Sequence, residues 1–210
     1  MYRILIADDH PIVRRGLRQI LEENRTVLSV EEAGTGQEAI EIVKRRRFDV
    51  VLLDISMPGM SGLEALSEIK KLNPGLPVLI LSIYPEEDYA VRALKAGASG
   101  YLTKKSAPDE LITAIKKLCR GERYISPSLA EFLATHLTEE NERPLHESLS
   151  NREYQVMRLI TSGKSLKEAA AVMSLSPKTI STFRTRVLQK LNLKSNAELI
   201  QYAMKHDLME

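Results

Sequence analysis

The sequence predicts two domains: an α/β domain on a doubly wound, five-stranded parallel sheet, then a small all-α domain. Three observations carry this. Over residues 1–120, five short apolar runs alternate with amphipathic stretches, the pattern of strands and helices in α/β folds. Residues 148–210 read instead as short helices separated by tight turns. Charge divides in the same way: residues 1–120 hold 18 basic and 17 acidic side chains, residues 121–150 hold 2 and 6, and residues 151–210 hold 10 and 5, under a net charge of only +2.

The elements follow in order. Ile4-Leu5-Ile6-Ala7 is continuously apolar, as a strand buried on both faces must be, and Ile12 to Leu21 is the first helix. Val27–Val30 is the second strand and Glu38–Val43 the second helix, whose trailing Lys44-Arg45-Arg46-Arg47 complements its C-terminal dipole as a solvated face rather than a nucleic-acid patch. Val50–Leu53 is the third strand. Its exit, Ser56-Met57-Pro58-Gly59-Met60-Ser61-Gly62, supplies Pro and two glycines for a bend close to the sheet and Ser61 to cap the helix Leu63–Ile69. Val78–Leu81 and Tyr101-Leu102 are the last strands, with helices at Val91–Leu94 and Leu111–Leu118.

Polar residues punctuate the strand ends: Asp8 and Asp9 after the first, Asp54 after the third, Ser82 after the fourth and Lys104 past the fifth. In an open α/β sheet, ligands bind outside these carboxyl ends. Three clustered carboxylates repel one another unless a cation sits among them, and an all-oxygen donor set suits Mg2+ rather than zinc. The expectation is a magnesium site built for phosphate. Asp8 and Asp9 as caps of the helix starting near Pro11 is the plainer alternative, compatible with it. His10, with no second His or Cys nearby, reads as a neighbour rather than a ligand.

Asp8-Asp9, Asp54, Met57-Pro58-Gly59, Gly62, Ser82, Gly97-Ala98, Tyr101 and Lys104, in this order and spacing, resemble the receiver domain of bacterial two-component response regulators, which has a CheY-like (flavodoxin-like) fold. The resemblance covers residues 1–120 and implies roles. Asp54 would take a phosphoryl group from the phosphohistidine of a sensor histidine kinase. Asp9 directly, Asp8 through water, Asp54 and the backbone carbonyl of Ser56 would hold Mg2+. With Asp54, the catalytic set would comprise Lys104, clamping a phosphoryl oxygen, and Ser82, donating its hydroxyl to another. That would draw the loop after the fourth strand inward while Tyr101 rotates into the space vacated. Taken singly, Ser82 is a strand-end hydroxyl and Tyr101 a half-buried aromatic; their spacing to Lys104 gives them these roles.

Residues 121–147 read as a linker, with Pro127, Pro144, the stretch Thr138-Glu139-Glu140-Asn141-Glu142 and one helix at Ser128 to His136. Beyond it, Ser150 caps a helix to Ile160 with Glu153 in capping-box position, Gly163 ends the connection, Ser165 to Met173 is a second helix, Ser176-Pro177 opens a third and Asn196 to Met204 is a fourth. Leu149-Ser150-Asn151-Arg152-Glu153, Gly163, Ala170, Leu175-Ser176-Pro177-Lys178-Thr179-Ile180 and Lys190-Leu191 resemble the LuxR-type helix-turn-helix DNA-binding domain, assigned to residues 148–210. Ala169 departs from it, standing where isoleucine is common. Receiver and LuxR-type domain together resemble the NarL/FixJ family of response regulators.

Periodicity divides the third helix without help from the family. Ile180, Phe183, Val187, Leu188 and Leu191 form the core stripe; Lys178, Ser181, Thr182, Thr185 and Gln189 point away, flanked by Arg184, Arg186 and Lys190. Five basic and no acidic residues between Ser176 and Lys194 favour a phosphate-facing surface. Lys178, Thr179, Ser181, Thr182, Arg184, Thr185, Arg186 and Lys190 are the candidate DNA contacts.

The resulting expectation is a cytoplasmic, phosphorylation-controlled, sequence-specific transcription regulator. By the resemblance, its partners are the histidine kinase, promoter DNA and a second copy of itself when phosphorylated, with RNA polymerase a further candidate. The unmodified receiver would cover the recognition helix. The rival class is a Mg-dependent phosphohydrolase with an aspartyl-phosphate intermediate, for which the sequence offers neither a cap domain nor a general acid. A degenerate receiver is disfavoured because every acceptor-site residue is present. Cys119, the single cysteine, reads as a small buried hydrophobe, and no apolar run reaches membrane-spanning length.

Overall fold

The computed structural model describes residues 1–106, 108–138, 144–206, 208 and 209. They form two compact units, Met1–Leu137 and Thr138–Glu210. Among them no helix is long and apolar enough to cross a membrane.

The first unit contains β1 (Tyr2–Ala7), α1 (Pro11–Glu22), β2 (Val27–Ala33), α2 (Gly36–Arg45), β3 (Val50–Asp54), α3 (Gly62–Leu72), β4 (Val78–Ser82), α4 (Glu86–Lys95), β5 (Gly100–Thr103), α5 (Pro108–Leu118) and α6 (Pro127–Thr138). All strand pairs are parallel, in the order β2-β1-β3-β4-β5. The sheet is therefore doubly wound as expected. The central strands are buried on both faces because right-handed crossovers place helices on each side. Ile4, Ile6, Leu52, Leu79, Leu81 and Leu102 pack with Leu21 of α1 and Leu111, Ala114, Ile115 and Leu118 of α5, each large aliphatic contributing roughly 1.5–3 kcal/mol by leaving water. Cys119 packs at the rim of this cluster, and burial pushes its thiol up to about 11.

Local chemistry fixes the helix starts. Thr35 caps α2 through the Glu38 N–H, and Ser61 and Glu64 form a reciprocal capping box on α3, each cap contributing about 1 kcal/mol. At α1 the capping position falls on His10, whose own side chain makes no cap, while its backbone N–H is taken by Asp8 Oδ1. Lys44 pairs with Glu41 and Arg46 with Glu31, in keeping with a solvated helix end.

Residues 121–137, which the sequence reads as linker, belong to the first unit. The Tyr124 N–H donates to the Ser99 carbonyl at 2.9 Å, and Tyr124 forms a parallel bridge with Gly100 at the outer edge of β5. Gly100 is required for this approach: a Cβ there would lie 2.8 Å from the Tyr124 carbonyl oxygen. The Tyr124 hydroxyl donates to Glu110 Oε1 at 2.9 Å, and burial with this carboxylate pushes it up to about 12. The expected helix at Ser128 to His136 is present as α6. Residues Glu139 to Glu142 of the acidic stretch lie outside the described residues.

The second unit contains a short 3-10 turn (Leu145–Ser148), α7 (Asn151–Thr161), α8 (Leu166–Met173), α9 (Pro177–Lys190) and α10 (Asn196–Lys205). Capping boxes at Ser150/Glu153 and Ser165/Glu168, and caps at Ser176 and Ser195, start all four helices. Ala169, the departure from the LuxR pattern, is fully buried. Ile180, Val187, Leu188 and Leu191 are buried as expected, with Phe183 half-buried.

Glu153 does more than cap. Its Oε2 also takes Lys190 Nζ at 2.6 Å, joining the start of α7 to the end of α9. Burial raises its carboxyl, but hydrogen bonds from Lys190 and Ser150 outweigh this and leave it below the ordinary glutamate value of 4.5. A depressed folded-state value contributes stability above that value, lost as pH falls through the folded one. Full-length protein titrated below pH 4.5 is thus expected to lose amide-exchange protection in α7 and α9, and Glu153→Gln to flatten that pH dependence. An unchanged acid profile in the variant would contradict the assignment.

Candidate functional site

Strand order places the site. The chain winds outward in opposite directions from β1 and β3, and the crevice at their carboxyl ends is the topological switch point of the sheet. Asp8 and Asp9 leave β1 on one side of it and Asp54 ends β3 on the other. One ligand atom from each of Asp8, Asp9, His10 and Asp54 lies within 4.8 Å of the rest.

Asp8 and Asp54 are 1% and 2% exposed. Lys104 Nζ sits between them, 2.7 Å from Asp8 Oδ2 and 2.9 Å from Asp54 Oδ2, and its backbone N–H donates to the Ser82 carbonyl at 2.7 Å. Both contacts are ion pairs, and Asp54 Oδ1 and Oδ2 are buried without a hydrogen bond of good geometry. Burial raises the Asp54 carboxyl above its ordinary range, with Lys104 pulling the other way. For Lys104, burial pulls downward but the two carboxylates prevail, so the ammonium stays charged.

Such a constellation lacks cationic charge. Two nearly buried carboxylates and a partly exposed third share one ammonium, and hard carboxylate oxygens, several without a hydrogen bond of good geometry, converge within 4.8 Å of one another, so the donor set fits Mg2+. Ser56 follows Asp54 in the same loop, and its backbone draws the Asp54 carboxyl downward. His10 stands closer to the cluster than the sequence suggested: Nδ1 is 2.8 Å from Asp9 Oδ1 and 3.3 Å from Asp8 Oδ1, and the His10 N–H donates to Asp8 Oδ1 at 2.8 Å.

Ser82, at the end of β4, and Tyr101, in β5, both bond the Tyr84 backbone in the loop after β4. Ser82 Oγ accepts from the Tyr84 N–H at 3.1 Å, and the Tyr101 hydroxyl, on a fully buried ring, donates to the Tyr84 carbonyl at 3.0 Å. The Tyr101 ring is fully buried rather than half-buried.

On α9, Lys178, Thr182, Thr185 and Arg186 are exposed, and Thr179 and Ser181 half-exposed. Two basic candidates are held by side chains of other helices: Arg184 Nε donates to Asn196 Oδ1 at 2.6 Å, and Lys190 holds Glu153. Sequence spacing could not reveal this, because both partners lie on other helices. The Thr182 and Thr185 hydroxyls donate to the carbonyls of Lys178 and Ser181 one turn back, so their protons are engaged within the helix.

The fold and site thus define a receiver-like acidic crevice in the same chain as a helix-turn-helix unit. Residues 4–116 match the family model of the response regulator receiver domain, and residues 147–203 that of the bacterial regulatory proteins, luxR family. Over 209 residues the chain is 37% identical to response regulator UvrY of Escherichia coli K12, covering 99% of this chain and 96% of that one. It is 33% identical over 212 residues to response regulator GacA of Pseudomonas aeruginosa, covering 100% and 99%. Among solved structures it is similar to RcsB from Salmonella enterica serovar Typhimurium bound to promoter P1flhDC in the presence of phosphomimetic BeF3-, with a TM-score of 0.66, 28% identity, and 96% and 97% coverage. The chain belongs to the NarL/FixJ family of two-component response regulators.

Proposed function

We propose that this protein is a cytoplasmic transcription regulator that accepts a phosphoryl group from a sensor histidine kinase on Asp54 and, once modified, dimerises on promoter DNA. The observation that carries this is the convergence of Asp8, Asp9, Asp54 and Lys104 at one sheet edge, in the same chain as a capped helix-turn-helix unit with a basic recognition helix. Asp54 Oδ1, buried and outside the Lys104 ion pair, is the nucleophilic oxygen. Asp9, Asp8, Asp54 and the Ser56 carbonyl would hold Mg2+, which supplies charge neutralisation for the phosphoryl oxygens. Lys104 then exchanges Asp54 for a phosphoryl oxygen, and the Ser82 hydroxyl, whose lone pair already takes the Tyr84 N–H, donates to another, drawing residues 83–85 inward. Incubation with acetyl phosphate and Mg2+ tests this: one stoichiometric aspartyl phosphate supports it, and continuous phosphate release points to a phosphohydrolase instead.

On the DNA side, Thr182 and Thr185 present methyl groups and acceptors to base edges, with Ser181 between them. Lys178, Thr179 and Arg186 meet phosphate. Arg184 and Lys190 hold the domain together and reach DNA secondarily; a dimer offers RNA polymerase a two-fold platform. Thr182→Ala is expected to change base preference at a cost of roughly 1 kcal/mol per half-site. Arg186→Ala should weaken all sequences alike and reduce the salt slope by about one per monomer. Affinities across mutated operators at two salt concentrations decide this; the reverse assignment of effects would refute it.

A further inference from the structure

We propose that Arg14 is a positioning residue for the divalent-cation site, acting through the Asp8 carbonyl. Arg14 lies on α1, outside the set of residues assigned to phosphoryl transfer. Its Nη1 donates to the Asp8 carbonyl oxygen at 2.6 Å, and its Nε donates to Glu32 Oε2 on β2 at 3.0 Å. That carbonyl belongs to the peptide joining Asp8 to Asp9, so its plane sets the directions in which the two carboxylates leave the backbone. On the other side of Asp8, its N–H donates to the Ala33 carbonyl at 3.1 Å. The turn is thus pinned from both sides, by β2 backbone and by the guanidinium.

The guanidinium is itself held. Glu32 Oε1 takes Arg18 Nε at 2.6 Å, and Arg18 reaches Glu22 at 3.2 Å, so a chain of alternating charge runs from the surface to the Asp8 carbonyl. Hydrogen bonds from Arg18 and Arg14 keep the Glu32 carboxyl below its ordinary range. The Arg14 side chain is only 16% exposed. A planar fork can serve a carbonyl and a carboxylate at once in fixed geometry, whereas a lysine ammonium cannot hold both directions. Groups that orient metal ligands from behind typically change affinity 10–100-fold when removed.

This inference rests on the reading of Asp8, Asp9 and Asp54 as the Mg2+ site, and the test separates the two. Mg2+ alone is titrated calorimetrically into the full-length chain. Arg14→Met is expected to bind about tenfold more weakly. In acetyl phosphate labelling, its half-saturating Mg2+ should rise by the same factor while the rate at saturating Mg2+ stays near wild type. Arg14→Lys should recover part of the loss, and Glu32→Gln should shift affinity in the same direction. Wild-type Mg2+ affinity in Arg14→Met, or in both other variants should that one not fold, overturns the proposal. Asp9→Asn is the control: if it too binds Mg2+ normally, the site reading fails and this inference with it.

An independent observation carries a second inference. Glu86, at the start of α4, is 8% exposed, and its Oε2 accepts the hydroxyls of Ser126 at 2.6 Å and Ser128 at 2.9 Å. Ser126 Oγ in turn accepts the Leu129 N–H at 3.1 Å, at the start of α6. Glu86 closes the loop that begins at Ser82 and carries the Tyr84 carbonyl bonded to Tyr101. We infer that the Glu86 carboxylate is a latch through which this loop holds the first turn of α6, so that an inward shift of residues 83–85 loosens that turn. Amide exchange of the full-length chain with and without beryllofluoride tests it. Wild type should exchange faster across residues 129–134 when beryllofluoride is added; Glu86→Ala, and Ser126→Ala as a second variant, should do so beforehand, with no further change. Equal exchange in all samples, or a beryllofluoride response that survives in both variants, overturns it.

Discussion

Asp54→Asn is expected to leave the first unit folded while phosphoryl uptake from acetyl phosphate falls below about 1% of wild type, read by intact mass spectrometry. An amide of the same shape fits the pocket at the end of β3, where Asp54 is 2% exposed, but it is neither anion nor nucleophile. The pocket also loses a buried charge that burial already disfavours, so the fold has little to lose. Lys104 keeps Asp8 as partner. Labelling of the variant at the wild-type level would remove Asp54 from the centre of the mechanism.

Gly62→Ala is expected to be among the most damaging substitutions away from the reacting atoms. A Cβ at residue 62 would lie 1.8 Å from the Asp54 carbonyl oxygen and 2.9 Å from the Ile55 Cα, a clash with backbone rather than with a side chain that can swing aside. The Gly62 N–H donates to the Ile55 carbonyl at 2.9 Å, so the start of α3 cannot retreat without breaking that bond and displacing the acceptor loop. We expect a loss of at least about 3 kcal/mol, lowering the melting temperature by about 10 °C. The surviving folded protein should phosphorylate slowly, because Asp54 moves with its carbonyl. A variant as stable as wild type, labelled at the same rate, would show that the loop tolerates a shift the geometry forbids.

The contrast between Gly59 and Gly62 shows what was legible in advance. The run from Ser56 to Gly62 reads as a bend from Pro and Gly alone, and Gly59 does adopt a positive φ of 75°. Gly62 serves a different end, close passage of α3 over Asp54, which no local pattern encodes. Asp8, Asp9, Asp54, Ser82 and Lys104 could be found because a parallel sheet delivers the residue after each strand to one edge. The caps at Ser61, Ser150 and Ser176 could be found because their partners lie three residues away. Arg14 on the Asp8 carbonyl, Lys190 on Glu153 and Arg184 on Asn196 join elements far apart in sequence, and an exposed-looking basic residue gives no sign of which carbonyl or carboxylate it will meet. For the same reason residues 121–126 looked like a tether: pairing with an existing sheet needs one backbone N–H, not an apolar repeat.

That pairing bears on how the sheet ends. An open parallel sheet has two edge strands, each a row of unpaired amides able to recruit a strand from another molecule. Here the two edges are guarded by different means. On β2 the guard is charge: Glu31 and Glu32 sit in the strand and are held there by Arg46, Arg14 and Arg18. On β5 it is covalent continuity, since the chain that leaves α5 returns at Tyr124 to occupy the edge itself. A receiver fragment ended at residue 120 would strip that cover from β5 and is expected to self-associate in light scattering, whereas one ended at residue 137 stays monodisperse. The stretch that connects the two halves of this regulator is thereby expected also to keep its sheet from growing.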